Sequence, residues 1–212
     1  DHVGRAASLL KQVGFDTMMG SLPGNNPLLK NLQFNSIPSI PCRYGQYWIW
    51  DEVEFLIWHP NEDTLFENQY SMKPNEMSCV LEVRNKNSSL WLTGDVERQG
   101  EAEIINRLDQ IALNGIGKRE LIFMAPHHGS KTSSSAELLT RLSPDFAFAQ
   151  NGYRNRYGHP HPTVTARYES LGIPFYQTPK TGAQIWFFGD QSKSGLKKIF
   201  WREESNRLWH RP

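Results

Sequence analysis

Between residues 88 and 177, short apolar runs take turns with longer amphipathic ones. Residues 88–93, 121–125, 146–149 and 175–177 have the length and composition of strands. Residues 98–113, 135–142 and 162–171 read as helices. The first of these puts Ile104, Ile105, Leu108 and Ile111 on one side, the second opens on a polar Ser run, and the third opens on Pro162. A strand that must run parallel to its predecessor needs a crossover, and a helix supplies it. The first half is different. Residues 45–58 are dense in aromatic and β-branched residues and read as two strands. Residues 78–84 and 88–93 form a hairpin around Asn85-Lys86-Asn87. Residues 5–13 put Ala6, Leu9, Leu10 and Val13 on one helical face, and residues 14–44, rich in Pro, Gly, Asn and Ser, read mostly as loop. Residues 183–188 and 197–201 close the chain as strands. Strands first and β-α alternation later predict an α/β fold, with sheet layers covered by helices.

The 212 residues suit one large domain, and neither an internal repeat nor a linker divides them. No uncharged apolar run nears ~18 residues, so no transmembrane helix is expected, and the charged start from Asp1 to Arg5 does not read as a signal peptide. A chain that opens on Asp1 rather than Met is expected to be an excised piece of something longer. Charge divides unevenly. Residues 1–106 hold 8 Lys/Arg against 14 Asp/Glu, and residues 107–212 hold 15 against 8. That can set acceptor ligands beside a cationic surface that attracts phosphates. Cys42 and Cys79 lack a C-x-x-C spacing, which argues against a thiolate metal site; a disulfide between them is open, with two buried free thiols the favoured expectation.

Four segments fall at predicted strand ends or helix starts: Asp1-His2-Val3-Gly4, Thr93-Gly94-Asp95, Pro126-His127-His128-Gly129-Ser130, and Asn155-Arg156-Tyr157-Gly158-His159-Pro160-His161. Such loops are where α/β proteins gather functional side chains. Asp and neutral His suit zinc, manganese or iron, and two such ions can serve an in-line displacement at phosphorus. Each segment alone has an ordinary explanation as a turn or helix cap. Their joint occurrence in this order does not.

That constellation resembles the metallo-β-lactamase superfamily, and more finely the C-terminal domain of the ComEC family of DNA-internalisation competence proteins. The residues that carry the likeness are Asp1-His2-Val3-Gly4, Leu92-Thr93-Gly94-Asp95, Pro126-His127-His128-Gly129-Ser130-Lys131-Thr132-Ser133, and Gly152 through Pro162. The resemblance implies a metallo-β-lactamase-like αββα sandwich whose first strands and first metal motif begin before Asp1. It implies two divalent metal ions, manganese or zinc, with Asp1 and His2 on one of them and Asp95 as the bridging carboxylate. Either His127 or His128 is the last ligand. Asn75-Glu76-Met77-Ser78 stands where the superfamily commonly has a further His. His59, crowded by Trp58 and Pro60, reads as structural, and Glu97, in the turn that follows, as a poor substitute for Asp95.

Asp1, Asn155 and His159 are the candidates for direct roles in the reaction. His159 is able to pass a proton to a leaving oxygen. Ser130, Lys131 and Arg156 are the candidates for substrate phosphate, the first two because they lead into a helix start with free N–H groups. The family likeness further implies DNA as partner, handled as a single strand, together with a covalently joined membrane channel and other competence proteins. It places the domain on the outer, periplasmic face of the inner membrane. The expected function is a metal-dependent nuclease that degrades the strand not transported during transformation. The alternative is a module that grips or gates DNA without cutting it, and hydrolysis of a small ester, lactone or β-lactam is the third reading.

Overall fold

The computed structural model describes residues 6–10, 12–22, 24–61, 73–111, 119–188 and 197–205. Its strands are β1 (Met18–Gly20), β2 (Ser39–Pro41), β3 (Tyr47–Trp50), β4 (Val53–His59), β5 (Val80–Arg84), β6 (Ser88–Leu92), β7 (Glu120–Met124), β8 (Phe146–Ala149), β9 (Phe175–Gln177), β10 (Gln184–Phe187) and β11 (Lys197–Phe200). Helices are α1 (Ala6–Leu9), α2 (Pro27–Phe34), α3 (Arg98–Ile111), α4 (Ala136–Leu142), α5 (Pro162–Ser170), α6 (Thr178–Thr181) and α7 (Trp201–Glu204). Strands β3 to β9 make one seven-stranded sheet in chain order. Its first half, β3–β4–β5–β6, is an antiparallel meander, and β6–β7–β8–β9 are parallel. The chain is therefore mixed α/β, as its alternation predicts.

Local chemistry explains the joints. Asn85 Oδ1 accepts from the N–H groups of Asn87 and Ser88 and so closes the β5–β6 hairpin. Ser135 caps α4 through Leu138 N–H, and His161 caps α5 through Thr163 N–H, with Pro162 at the first helical position. Helices α3, α4 and α5 carry the three crossovers. They pack Ile104, Leu138, Leu139, Val164 and Tyr168 against Trp91, Phe123, Ala125, Ala147 and Ala149 of the sheet. The opposite face, near β8, receives the β10–β11 ribbon, whose Trp186 meets Phe146 and Phe148. There Lys198 Nζ lies 4.1 Å from the Phe146 ring centre and 4.6 Å from that of Tyr176.

One expectation for the first half needs correcting. More than half of the described residues in 14–44 lie outside helices and strands, as expected, and among them α2 forms with Asn26 Oδ1 accepting from Leu28 N–H, Pro27 at the first turn, and Leu28 and Leu32 buried. Cys42 and Cys79 are not free thiols. They form a disulfide with Cα atoms 5.8 Å apart, within the range such a bond requires. Cys42 follows β2 and Cys79 precedes β5, so the bond ties the leading segment to the sheet.

The lead into α4 holds a second finding. The N–H groups of Ser134 and Ser135, just before the helix, donate to the carboxylate of Glu101, a fully buried residue of α3, and so are not available to an outside phosphate. Burial pushes the Glu101 carboxyl above its usual range, against the pull of those hydrogen bonds and of Arg167. Glu101→Ala leaves two N–H groups without their acceptor, one of them in the fully buried Ser134. It is expected to cost about 2–4 kcal/mol and to lower the melting temperature by roughly 5–12 °C. Calorimetry checks this, and an unchanged melting temperature contradicts it.

Candidate functional site

The turn after β6 and the turn after β7 meet at the same end of the sheet. Thr93 Oγ1 donates to the carbonyl oxygen of Met124 at the end of β7. Gly94, at φ +55°, packs so close to Ser78 that a Cβ would stand 3.1 Å from the Ser78 Cβ. Its carbonyl oxygen accepts from His127 N–H. Asp95 follows, its N–H donating to Ser78 Oγ. The short 3-10 turn Pro74–Met77 that precedes Ser78 brings Asn75 to the same place.

The Pro126–Gly129 turn is strained. His127 (φ 49°, ψ 44°) and His128 (φ 56°, ψ 19°) are consecutive non-glycine residues in left-handed conformation. Each such residue costs on the order of 1–3 kcal/mol, and such strain gathers at functional sites. The surrounding bonds hold it: Ser133 Oγ donates to the Pro126 carbonyl, and Ser130 N–H to the His127 carbonyl. The strain turns the two rings toward different partners. His128 Nδ1 lies 2.6 Å from the carbonyl oxygen of Gln150, which can only accept, so Nδ1 carries the proton. In the neutral ring Nε2 then bears the lone pair, and it stands 3.6 Å from Asp95 Oδ1. A lone pair facing a carboxylate is favourable only with positive charge between them, from the ring's own protonation or from a metal ion. His127 instead sits between Glu97, 3.1 Å from Nδ1, and Asn75, 3.4 Å from Nε2; Asn75 Nδ2 also donates to Glu97 Oε1. Glu97 thus belongs to the cluster, because the turn after Asp95 points its carboxylate back at His127, where it faces that ring and Asn75 rather than standing in for Asp95.

The third segment arrives from the other side. Gly129, at φ +81°, lets Pro160 approach until a Cβ would meet the Pro160 Cβ at 2.7 Å, and His161 N–H donates to the Gly129 carbonyl. This docks residues 152–161 onto the His127-His128 turn. The His159 ring lies 5.6 Å from that of His127, edge to face. Burial, and then the neighbouring His127, His128 and His161, lower the His159 imidazole below its usual value, with Asp95 opposing them. Asn155 braces this loop: its Oδ1 accepts from His159 N–H, and its Nδ2 donates to the carbonyls of Gly152 and His159. With its amide engaged by the backbone, Asn155 is placed to orient His159 rather than to touch a substrate.

The other candidates fall out as follows. His59 is fully buried, with Nδ1 2.8 Å from the Ser78 carbonyl, and burial lowers its imidazole, as suits a structural residue. Ser130 is buried with Oγ 3.0 Å from Thr132 Oγ1, and Lys131 is exposed on the turn. Arg156 lies exposed over the Tyr157 ring and donates to its hydroxyl. Asp1 and His2 lie outside the described residues.

Asp95 and His128 fit a divalent ion. Carboxylate oxygen and imidazole nitrogen are its ordinary donors, and two ligands ~2.1 Å from one tetrahedral ion stand about 3.4 Å apart. The observed 3.6 Å is close to that spacing and long for a good hydrogen bond. The buried Nδ1 atom of His159 has no hydrogen-bond partner among the described residues. Among the described residues no three such donors converge on a single ion position, so the fit is that of a pair.

No family model matches the chain. It is 31% identical over 166 residues to Competence protein ComA of Neisseria gonorrhoeae, covering 75% of this chain and 22% of that protein. To Recombination protein 2 of Haemophilus influenzae it is 30% identical over 192 residues, 90% of this chain and 21% of the relative. ComE operon protein 3 of Bacillus subtilis is 27% identical over 187 residues, 86% of this chain and 22% of the relative. The chain spans about a fifth of the length of these curated relatives.

Proposed function

Because the chain belongs to the ComEC family of competence proteins, we propose that it acts in DNA uptake as a metal-dependent phosphodiesterase that hydrolyses DNA. In this reading the seven-stranded sheet and its helices are one half of a metallo-β-lactamase-like αββα sandwich. The observation that carries the proposal is the pairing of Asp95 Oδ1 with His128 Nε2, on a doubly strained turn whose other ring nitrogen is fixed by Gln150.

Asp95 and His128 would hold the metal, manganese or zinc, and Asp1 and His2 would complete the ligand set. Such ions supply Lewis acidity toward a phosphoryl oxygen and a lower pKa for water. The chain's own residues do the rest. Ser78 and Gln150 keep the two ligands aimed, and His127, held by Glu97 and Asn75, walls the site. His159, oriented by Asn155, handles the proton at the leaving oxygen. Arg156 can swing from Tyr157 to a phosphate. The DNA strand degraded is the one not transported, and the domain is joined to a channel in the inner membrane, working on its outer face beside other competence proteins. The disulfide supports an oxidising surrounding of that kind. No helix among the described residues is long and apolar enough to cross a membrane.

End-labelled DNA incubated with the protein in manganese, in zinc and in chelator tests the reading. Cleavage in at least one metal and none in chelator is the expected result. DNA that binds but stays intact in both metals overturns it in favour of a module that grips or gates. His159→Ala is expected to lower the rate at saturating DNA by roughly 10²–10⁴-fold while affinity changes little. Turnover at the wild-type rate removes His159 from proton transfer.

A further inference from the structure

The loop between β8 and α5 carries four side chains used neither by the ligand cluster nor by the core: Tyr153, Arg154, Arg156 and Tyr157. Tyr153 is 73% exposed and Tyr157 56%. The Arg154 guanidinium lies 5.2 Å from the Tyr153 ring centre, and that of Arg156 lies 4.7 Å from the Tyr157 ring centre. One exposed tyrosine is ordinary. Two, each with its own arginine and four residues apart, sit on a segment pinned at several points. Asn151 N–H donates to Thr178 Oγ1, Asn155 ties Gly152 to His159, and Pro160 lies against Gly129. Rings mounted on a fixed loop lose little freedom when they bind.

The rings also lead somewhere. The Tyr157 ring lies 5.8 Å from that of His159, with planes 19° apart, and His159 lies 5.6 Å from His127. Flat ring surfaces thus run from solvent to the ligand cluster, with two cations alongside. A partner that matches both features alternates flat aromatic surfaces with negative charge. An acidic peptide would satisfy the guanidinium groups and leave the rings unused. In a DNA duplex the base faces are covered by their neighbours, whereas an unpaired strand offers them freely.

We infer that Tyr153 and Tyr157, with Arg154 and Arg156, form a stacking platform for the unpaired bases of a DNA strand, which delivers that strand's phosphate to the cluster at Asp95 and His128. The inference rests on the proposed phosphodiesterase reading and gives its single-stranded substrate a binding surface in the β8–α5 loop. Base stacking supplies the grip, and the arginines add charged hydrogen bonds to phosphate.

Fluorescence anisotropy in chelator, where nothing is hydrolysed, tests the platform on the 212-residue protein. The probes are labelled oligothymidylate, an abasic oligomer of equal length and charge, and a blunt duplex. The wild type is expected to bind oligothymidylate about 10–100-fold more tightly than the abasic oligomer. Tyr153→Ala/Tyr157→Ala is expected to abolish that preference while abasic binding stays as it was, and Tyr153→Phe/Tyr157→Phe to keep it. Equal binding of the two oligomers by the wild type, a preference that survives the double alanine variant, or duplex bound as tightly as oligothymidylate overturns the inference. Its failure is separate from that of the phosphodiesterase reading. Cleavage in metal with no base preference sinks the platform alone, and base preference with no cleavage in either metal sinks the hydrolytic reading alone.

Discussion

Asp95→Asn is expected to lower the rate of DNA cleavage by several powers of ten while the fold stays intact. The substitution keeps the size of the side chain and the backbone N–H bond to Ser78 Oγ, and removes only the charge that faces His128 Nε2. Without that charge the pair no longer offers a divalent ion a carboxylate, so affinity for manganese or zinc, read by titration calorimetry, is expected to fall as well. Circular dichroism separates this from unfolding. A folded variant that binds metal and cuts DNA like the wild type removes Asp95 from the site. Glu97 does not replace it, because its carboxylate is already set against His127 and Asn75.

Opening the disulfide is the second large effect. Cys42 and Cys79 are 37 residues apart, and in the chain-entropy account a cross-link of that span contributes about 4 kcal/mol. Cys42→Ser/Cys79→Ser is therefore expected to lower the melting temperature by roughly 8–16 °C for a domain of this size. The loss is also expected to reach the site. Cys79 follows Ser78, whose hydroxyl accepts from Asp95 N–H and whose carbonyl faces His59. Metal affinity measured well below the new melting temperature is expected to drop with the bond open. A double variant that melts like the wild type contradicts the stabilising role, and unchanged metal affinity contradicts the link through Ser78.

The parallel half of the fold was legible in the sequence because its signals are local. Pro162, Ser135 and Asn85 mark helix starts and a hairpin through bonds made within a few residues of themselves. Helix α2 carried the same kind of signal in Asn26 and Pro27, but the surrounding Pro, Gly and Asn residues hid it. The disulfide was not legible, since two cysteines 37 residues apart meet only once β2 and β5 are in place. Nor was the carboxylate at the start of α4. On α3, Glu101 looks like one more polar position of an amphipathic helix, and only the packing of α3 beside α4 brings it to the N–H groups of Ser134 and Ser135. At the candidate site, the residue types at Asp95, His127, His128 and His159 pointed to segments that the fold brings together. Which ring faces the carboxylate was out of reach, because it depends on left-handed backbone at both histidines, and nothing in a His-His pair announces that.

The strands of the large sheet lie side by side in the order in which the chain visits them. No strand has to be threaded between two that are already paired, and each new one docks on the one made just before it. Loop closure then stays cheap at every step, since the longest detour between neighbours is a single helical crossover. Such a sheet can assemble vectorially, starting from its antiparallel edge, as the polypeptide is delivered from its N-terminal side. The turns of the candidate site follow that schedule. Asp95 arrives with the end of β6, the two histidines one strand later, and the His159 loop only after β8. The cluster is finished only when most of the sheet is, so a partly made domain holds fragments of the site but not the whole of it.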